Sequence, residues 1–199
     1  GSALERELLS YLRWAEEERA HLHVVDACLL LARHGAESER VQWMQQGIDH
    51  ALDHGIEEPL GSAYNDLAVA LEAREELDRA LEAYQQALIW HRRGGSQRQV
   101  VATAWAVGAL ASRLEDVALA HVRLTEAVQA AEGADDCGDL LALALADLAG
   151  IHEAAGAVIE ARHLFLRALD LARIQDLQNL RPARWESMLR QARRLELEA

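Results

Sequence analysis

Residues 64–71 read YNDLAVAL, and this short stretch decides the fold. Its apolar and small residues fall at positions i, i+3, i+4 and i+7, the spacing that lines one face of an α-helix. The same pattern recurs along the chain at a constant interval. The small residue at its centre returns after 40, 40 and 41 residues, as Cys28, Ala68, Gly108 and Ala149. One period shared by four stretches indicates a tandem repeat.

A second apolar series follows the first in the same register. A bulky residue begins it, at Met44, Tyr84, Leu124 and Phe165, and a small residue follows three positions later, at Gly47, Ala87, Ala127 and Ala168. Each unit therefore contains two amphipathic helices. We predict first helices near 21–34, 60–73, 98–112 and 139–154, and second helices near 38–54, 77–92, 116–132 and 158–174.

The same register organises the two ends of the chain. Residues 3–17 align with a second helix and are predicted to belong to a truncated preceding unit, while Gly1 and Ser2 are typical of a tag-cleavage scar. Residues 180–198 form one further predicted helix without a partner, which suits a C-terminal cap. We therefore predict a single domain over 3–199, with repeats at 21–54, 60–92, 98–132 and 139–174.

Composition narrows the classes of function. The net charge of −13 disfavours nucleic-acid binding, because it repels phosphate backbones. The two cysteines do not form a disulfide framework, and no signal peptide or membrane-spanning run is recognisable, so a cytoplasmic location is predicted. All 20 basic residues are arginine, a skew typical of a GC-rich and therefore bacterial coding sequence.

The two series together resemble the tetratricopeptide (TPR) repeat. The matching residues are Tyr64-x2-Leu67-Ala68-x2-Leu71 and, on the second helix, Ala80-x3-Tyr84-x2-Ala87. The first unit departs from the pattern, since Arg40 stands where the family has a small residue. A period near 40 resembles the longer-repeat branch, which includes kinesin light chains and many bacterial regulators. The resemblance implies an all-α, right-handed superhelix whose first helices line a concave groove for peptides or partner helices.

Carrying the family's groove positions onto this sequence gives a candidate partner-binding surface. Asp recurs at one helical position in three of the four units, where a row of carboxylates would favour a basic partner. The alternative is that each Asp caps a helix or bonds across a repeat seam. Trp105, in the third unit, has two possible roles that both stay open: it contacts a partner, or it packs as a wedge between units. The predicted groove residues are Val25, Asp26, Leu29, Arg33, Asn65, Asp66, Val69, Trp105, Arg113 and Asp147.

Signatures of catalysis are not found in the sequence. His50 and His54 lie at i, i+4 on one helix and have the spacing of a metal-binding pair, but no third ligand follows from their neighbours in sequence. No phosphate-binding glycine loop or nucleophile motif occurs. We therefore predict a non-enzyme without a metal or cofactor.

These patterns favour a protein-interaction scaffold that binds a peptide or helix. Two alternatives stay open at this point. The chain could be a ligand- or peptide-sensing regulatory module of a larger bacterial signalling enzyme or transcription regulator. It could also be a self-association domain that forms a homodimer through its terminal helices.

Overall fold

The computed structural model describes residues 2–195, apart from the side chain of Leu180. The predictions made for Gly1 and for residues 196–199 lie outside this range. All regular structure within it is helical, which confirms the all-α class. The helices are α1 (Ala3–Glu17), α2 (His21–His34), α3 (Arg40–Asp53), α4 (Leu60–Ala73), α5 (Leu77–Gly94), α6 (Gln97–Arg113), α7 (Val117–Glu132), α8 (Gly138–Ala154), α9 (Val158–Ile174), α10 (Leu177–Leu180) and α11 (Pro182–Arg194).

The helices form two compact units, Gly1–Gly95 and Ser96–Ala199. In the first unit α2 pairs with α3 and α4 pairs with α5, while α1 packs on α2 and α3 packs on α4. In the second unit the pairs are α6 with α7 and α8 with α9, and α8 also contacts both α6 and α7. Tandem helical pairs are therefore confirmed, whereas the single domain over 3–199 stays a prediction.

The small residue at the centre of each first helix lets its partner approach closely. Cys28, Ala68 and Ala149 are completely buried. Gly108 faces the tightest contact, because a Cβ there would lie 2.7 Å from Cγ of Leu124 and 3.1 Å from its backbone nitrogen. The α6–α7 pair therefore requires glycine at this point.

The turn within a pair is the same in the last three pairs. Its central residue adopts a left-handed conformation, with φ of 59° at Glu75, 61° at Glu115 and 79° at Gly156. The next N–H then bonds to a carbonyl five residues earlier, as Asp116 does to Ala111 at 2.9 Å. This bond satisfies a carbonyl that the helix end would otherwise leave without a donor.

The first pair is joined differently, at the place where its sequence departs from the repeat. A short 3-10 turn, Glu37–Glu39, replaces the left-handed turn. Arg40 donates from Nε to the carbonyl of Ala32 at 3.2 Å and pairs with Glu37 at 2.7 Å. The arginine thus satisfies the end of α2, the task that the left-handed turn performs in the other pairs.

The second unit buries α8 on nearly every side. Residues 140–146 are all buried, and the helix lies among α6, α7 and α9. α11 adds two buried side chains, Met188 and Ala192, and Leu195 directly after it is buried as well. Among the described residues, no helix is long and apolar enough to cross a bilayer.

Candidate functional site

A cleft in the first unit lies between the first helices α2 and α4. Its volume is about 310 Å³. Four of the predicted groove residues line it, namely Leu29 and Arg33 from α2 and Asp66 and Val69 from α4. These residues line the same cleft because each lies beside the buried stripe of its own helix, on the side that faces the neighbouring first helix. The remaining lining residues are mostly small or apolar: Ala32, Arg40, Met44, Pro59, Ser62, Ala63 and Ala70.

The cleft combines an exposed apolar residue with a loose ion pair. Val69 is 52% exposed, although its neighbours Ala68 and Ala70 are buried. Arg33 and Asp66 lie 3.9 Å apart, and their side chains are 65% and 48% exposed. A pair so long and so exposed contributes little to stability. Both charges are therefore able to bind a ligand at small cost to the fold.

The other predicted groove residues of the first unit lie in three environments. Val25 is 1% exposed and belongs to the core, so it offers no surface to a partner. Asp26 is exposed on α2, and Asn65 is half-buried on α4. The Asp26 carboxylate also acts on Tyr11, whose pKa is raised by burial and by this negative charge.

In the second unit, Trp105 and Asp147 bind each other. The indole Nε1–H of Trp105 on α6 donates to Oδ2 of Asp147 on α8 at 2.8 Å. Arg184 of α11 donates to both oxygens of the same carboxylate, at 2.7 and 2.8 Å, and its guanidinium lies 5.6 Å from the Trp105 ring. These contacts match the seam alternative for both residues, and a role in partner binding stays a prediction.

Arg113, the remaining predicted residue, is the last residue of α6 and lines a second cleft together with residues of α8 and α11. This cleft has a volume of about 980 Å³ and is lined by Asp147 and three further arginines, Arg184, Arg190 and Arg194. Arg194 donates to Glu153 at 2.6 Å. This cleft is more highly charged than the first, and two of its arginines, Arg184 and Arg194, already bind carboxylates of α8.

A further pair joins α6 to α8 near their first turns. Arg98 donates to the two oxygens of Asp139 at 2.7 and 2.8 Å. The hydrogen bond from Arg98 holds the pKa of the Asp139 carboxyl below its ordinary value of 3.8, although burial opposes this. This contact is structural, because it ties the start of α6 to the start of α8.

The sequence did not identify two residues that the fold brings to these sites. Arg184 lies on α11, which does not belong to a repeat unit. The repeat alignment therefore could not predict its contact with Asp147. His21 lies beside His50 and His54, the pair for which the sequence offered no third ligand. A signal for His21 did exist, because an antiparallel pair places the start of its first helix beside the end of its second.

The two units define an α-helical repeat protein with the TPR-like fold. The chain is similar to the crystal structure of BtubC (BKLC) from P. vanneervenii, with a TM-score of 0.71 and 19% identity over 87% of this chain and 75% of that chain. It is also similar to a putative kinesin light chain from P. anserina with nearly identical TPR-like repeats, with a TM-score of 0.58 and 14% identity over 86% of this chain and 94% of that chain. No family model and no curated protein matches the chain.

Proposed function

We propose that this chain is a protein-interaction scaffold that binds a peptide or helix in the cleft between α2 and α4. The exposed Val69 beside small buried residues is the observation that supports this most directly, because an apolar contact surface at the mouth of a cleft gains free energy when a partner covers it. Folds of the TPR-like kind commonly bind protein partners, which supports the class of function.

The charges around the cleft suggest the chemistry of the partner. Asp66 lies at the cleft and Asp26 is exposed on the same pair of first helices, while the chain as a whole carries a charge of −13. A basic residue of the partner would replace Arg33 as the counter-ion of Asp66. We therefore propose a segment with one apolar anchor that enters the cleft and at least one adjacent Arg or Lys.

A displayed library of random peptides tests this proposal on the full chain. Peptides enriched on the wild-type protein are remeasured against Val69→Asp, which places a charge at the mouth of the cleft. We expect affinity to fall at least about tenfold, the effect of losing a contact worth about 1.4 kcal/mol. Enriched peptides should contain the apolar and basic combination.

Val122→Asp supplies the matched control. Val122 is 55% exposed on α7, so it receives the same substitution at nearly the same exposure, on a second helix of the other unit. The control should bind the selected peptides like the wild type. Equal binding by both variants, or equal loss in both, would contradict the assignment of the cleft.

Further proposals rest on the sequence. They are a cytoplasmic location, a bacterial source, a regulatory role within a larger protein, and homodimer formation. Mass measured over a wide concentration range tests the last of these. A dimer that Val69→Asp dissociates would mean that a second copy of this chain, rather than a peptide, occupies the cleft.

A further inference from the structure

Three histidine rings meet at one end of the first helical pair. His21 is the first residue of α2, His50 lies in the last turn of α3, and His54 caps that helix. One ring nitrogen of each lies within 4.8 Å of one from each of the others. Nδ1 of His21 lies 3.2 Å from Nε2 of His50.

The fold produces this cluster through two independent geometrical facts. Residues four apart share one face of a helix, which brings together His50 and His54, with ring centroids 4.3 Å apart. The antiparallel pairing of α2 with α3 then brings His21 against both, with its ring centroid 3.7 Å from that of His54. Among the described residues, this is the one group of three His, Cys, Asp or Glu side chains whose ligand atoms all lie within 4.8 Å of one another.

The distances suit a tetrahedral ion. Zinc binds histidine nitrogen at about 2.0–2.1 Å, so two ligand nitrogens on one tetrahedral ion lie about 3.3–3.4 Å apart. The 3.2 Å between His21 and His50 already has this value. The remaining nitrogens lie within 4.8 Å, so they need to close by at most about 1.4 Å. The rings of His21 and His50 stack on that of His54 at 21° and 25°, so side-chain rotation must also turn their in-plane lone pairs towards one point.

The hydrogen bonds leave the required nitrogen available. Nδ1 of His54 lies 3.0 Å from the carbonyl oxygen of His50, a contact in which Nδ1 carries the proton. Nε2 of His54 then keeps a free lone pair. The contact between His21 and His50 also needs a proton between two nitrogens, and a metal ion would take the place of that proton. A backbone carbonyl that fixes the tautomer of a ligand is a frequent feature of histidine metal sites.

The local electrostatics agree with coordination. Burial lowers the pKa of His50, and the nearby His54 and His21 lower it further, while Asp53 and Glu16 act in the opposite direction. A neutral ring is the form that binds a metal. The two carboxylates place negative charge near a site that would otherwise hold only neutral ligands.

We propose that His21, His50 and His54 bind one Zn²⁺ ion and thereby fasten the start of α2 to the end of α3. Three nitrogen ligands leave the fourth tetrahedral position to water. The ion would stabilise the first pair, which lacks the left-handed turn of the other three. The proposal does not depend on the cleft between α2 and α4, since none of the three histidines lines it.

Calorimetric titration with ZnCl₂ tests the proposal on the full chain, prepared without a histidine tag and freed of metal by a chelator. We expect one ion per chain. At a zinc concentration about 100 times Kd, the melting temperature should rise by about 5–10 °C, because a ligand at that concentration stabilises the folded state accordingly. Co²⁺ in place of zinc should give the intense visible absorption of tetrahedral coordination.

His21→Gln is the decisive variant, and His34→Gln is its control. Gln keeps a polar side chain at position 21 but removes the third imidazole, so zinc affinity should fall at least tenfold and the tetrahedral cobalt spectrum should disappear. His34 is exposed in the last turn of the same helix and lies outside the cluster, so its variant should bind zinc normally.

Circular dichroism of each metal-free variant establishes that it is folded before titration. If His21→Gln does not fold, His54→Gln, which removes an exposed ring at the end of α3, carries the same expectation. Zinc binding of unchanged affinity in a folded variant would overturn the proposal, as would the absence of binding by the wild type at millimolar zinc.

Discussion

Gly108 shows how a single hydrogen atom fixes the repeat register. Its position faces Leu124 across the α6–α7 pair, at a distance that leaves no room for a Cβ. The interior of a helix ordinarily favours alanine over glycine, by about 0.5–1 kcal/mol. Helix propensity therefore favours alanine at position 108, whereas packing against Leu124 requires glycine. The sequence has the residue that packing requires.

Gly108→Ala should lower the free energy of unfolding by about 1–3 kcal/mol, because the added methyl forces Leu124 and its backbone apart. Chemical denaturation measures the change. Gly94→Ala is the control, since a Cβ at the end of α5 meets nothing within 4 Å, and this variant should be as stable as the wild type or slightly more so. Equal stability of Gly108→Ala and the wild type would contradict the close approach of the two helices.

Among the helical elements, the left-handed turns carry the clearest local strain. Glu75 and Glu115 adopt positive φ although their side chains disfavour it, whereas Gly156 occupies the equivalent place without that cost. No atom lies within 4 Å of a Cβ built on Gly156. Substitution there changes the backbone preference and nothing else.

Glu115→Gly and Gly156→Ala should therefore change stability in opposite directions. We expect the first to raise the free energy of unfolding by about 0.5 kcal/mol and the second to lower it by about 1 kcal/mol. Gly133→Ala, at negative φ with only a distant carbonyl near its Cβ, should change it by less than about 0.5 kcal/mol. Shifts of the same sign at positions 115 and 156 would argue against strain at the turn.

At the element scale, the sequence predicted most of the fold and part of the site. The periods of 40 and 41 residues placed the helices from α2 to α9 within two residues of their observed bounds, because two apolar stripes define each pair. The same register identified Asp66 and Val69 at the cleft. Val25 was misplaced, because the fold buries it in the core of the first unit. Trp105 and Asp147 satisfy each other through tertiary contacts, which no single-helix pattern contains.

His21 illustrates what a repeat period cannot predict. It lies 29 residues before His50, and their contact depends on how one pair folds back on itself rather than on how pairs succeed one another. The next pair repeats the geometry with other residues, since Gly61 at the start of α4 faces His91 near the end of α5. An alignment of helix starts against helix ends, rather than of units against units, would have identified the cluster.

For the whole molecule, the stability at low pH depends on whether a carboxylate is exposed or held in a partly buried ion pair. The chain carries 33 acidic and 20 basic residues, so lowering the pH removes negative charge that is mostly exposed. Asp139 is an exception, because its side chain is 18% exposed and Arg98 holds its pKa below 3.8. In the folded state this carboxyl stays ionised at a pH where the unfolded chain binds a proton. The pair therefore stabilises fully above pH 3.8, and the contribution is lost as the pH falls through the lowered pKa.

Arg98→Gln should lower the melting temperature at pH 7 by about 2–4 °C, the effect of about 1 kcal/mol for a partly exposed charged hydrogen bond. The difference from the wild type should shrink as the pH is lowered below 3.8. Arg167→Gln removes the exposed partner of Glu132 and should change the melting temperature little at any pH. Melting curves from pH 7 to pH 2 provide the measurement, and a difference that grows in acid would contradict the assignment.

The burial of residues 140–146 on α8 has a consequence for the time at which the protein is made. α8 ends at Ala154, and α11, whose Arg184 and Arg194 reach back to it, ends 40 residues later at Arg194. At a synthesis rate of about 5–20 residues per second, a ribosome needs about 2–8 s to make those residues. Until α9 and then α11 have left the ribosome, the nascent chain holds a leucine-rich helix without all of its neighbours. Chaperone binding to this protein should therefore be strongest after α8 has left the ribosome and before α11 has.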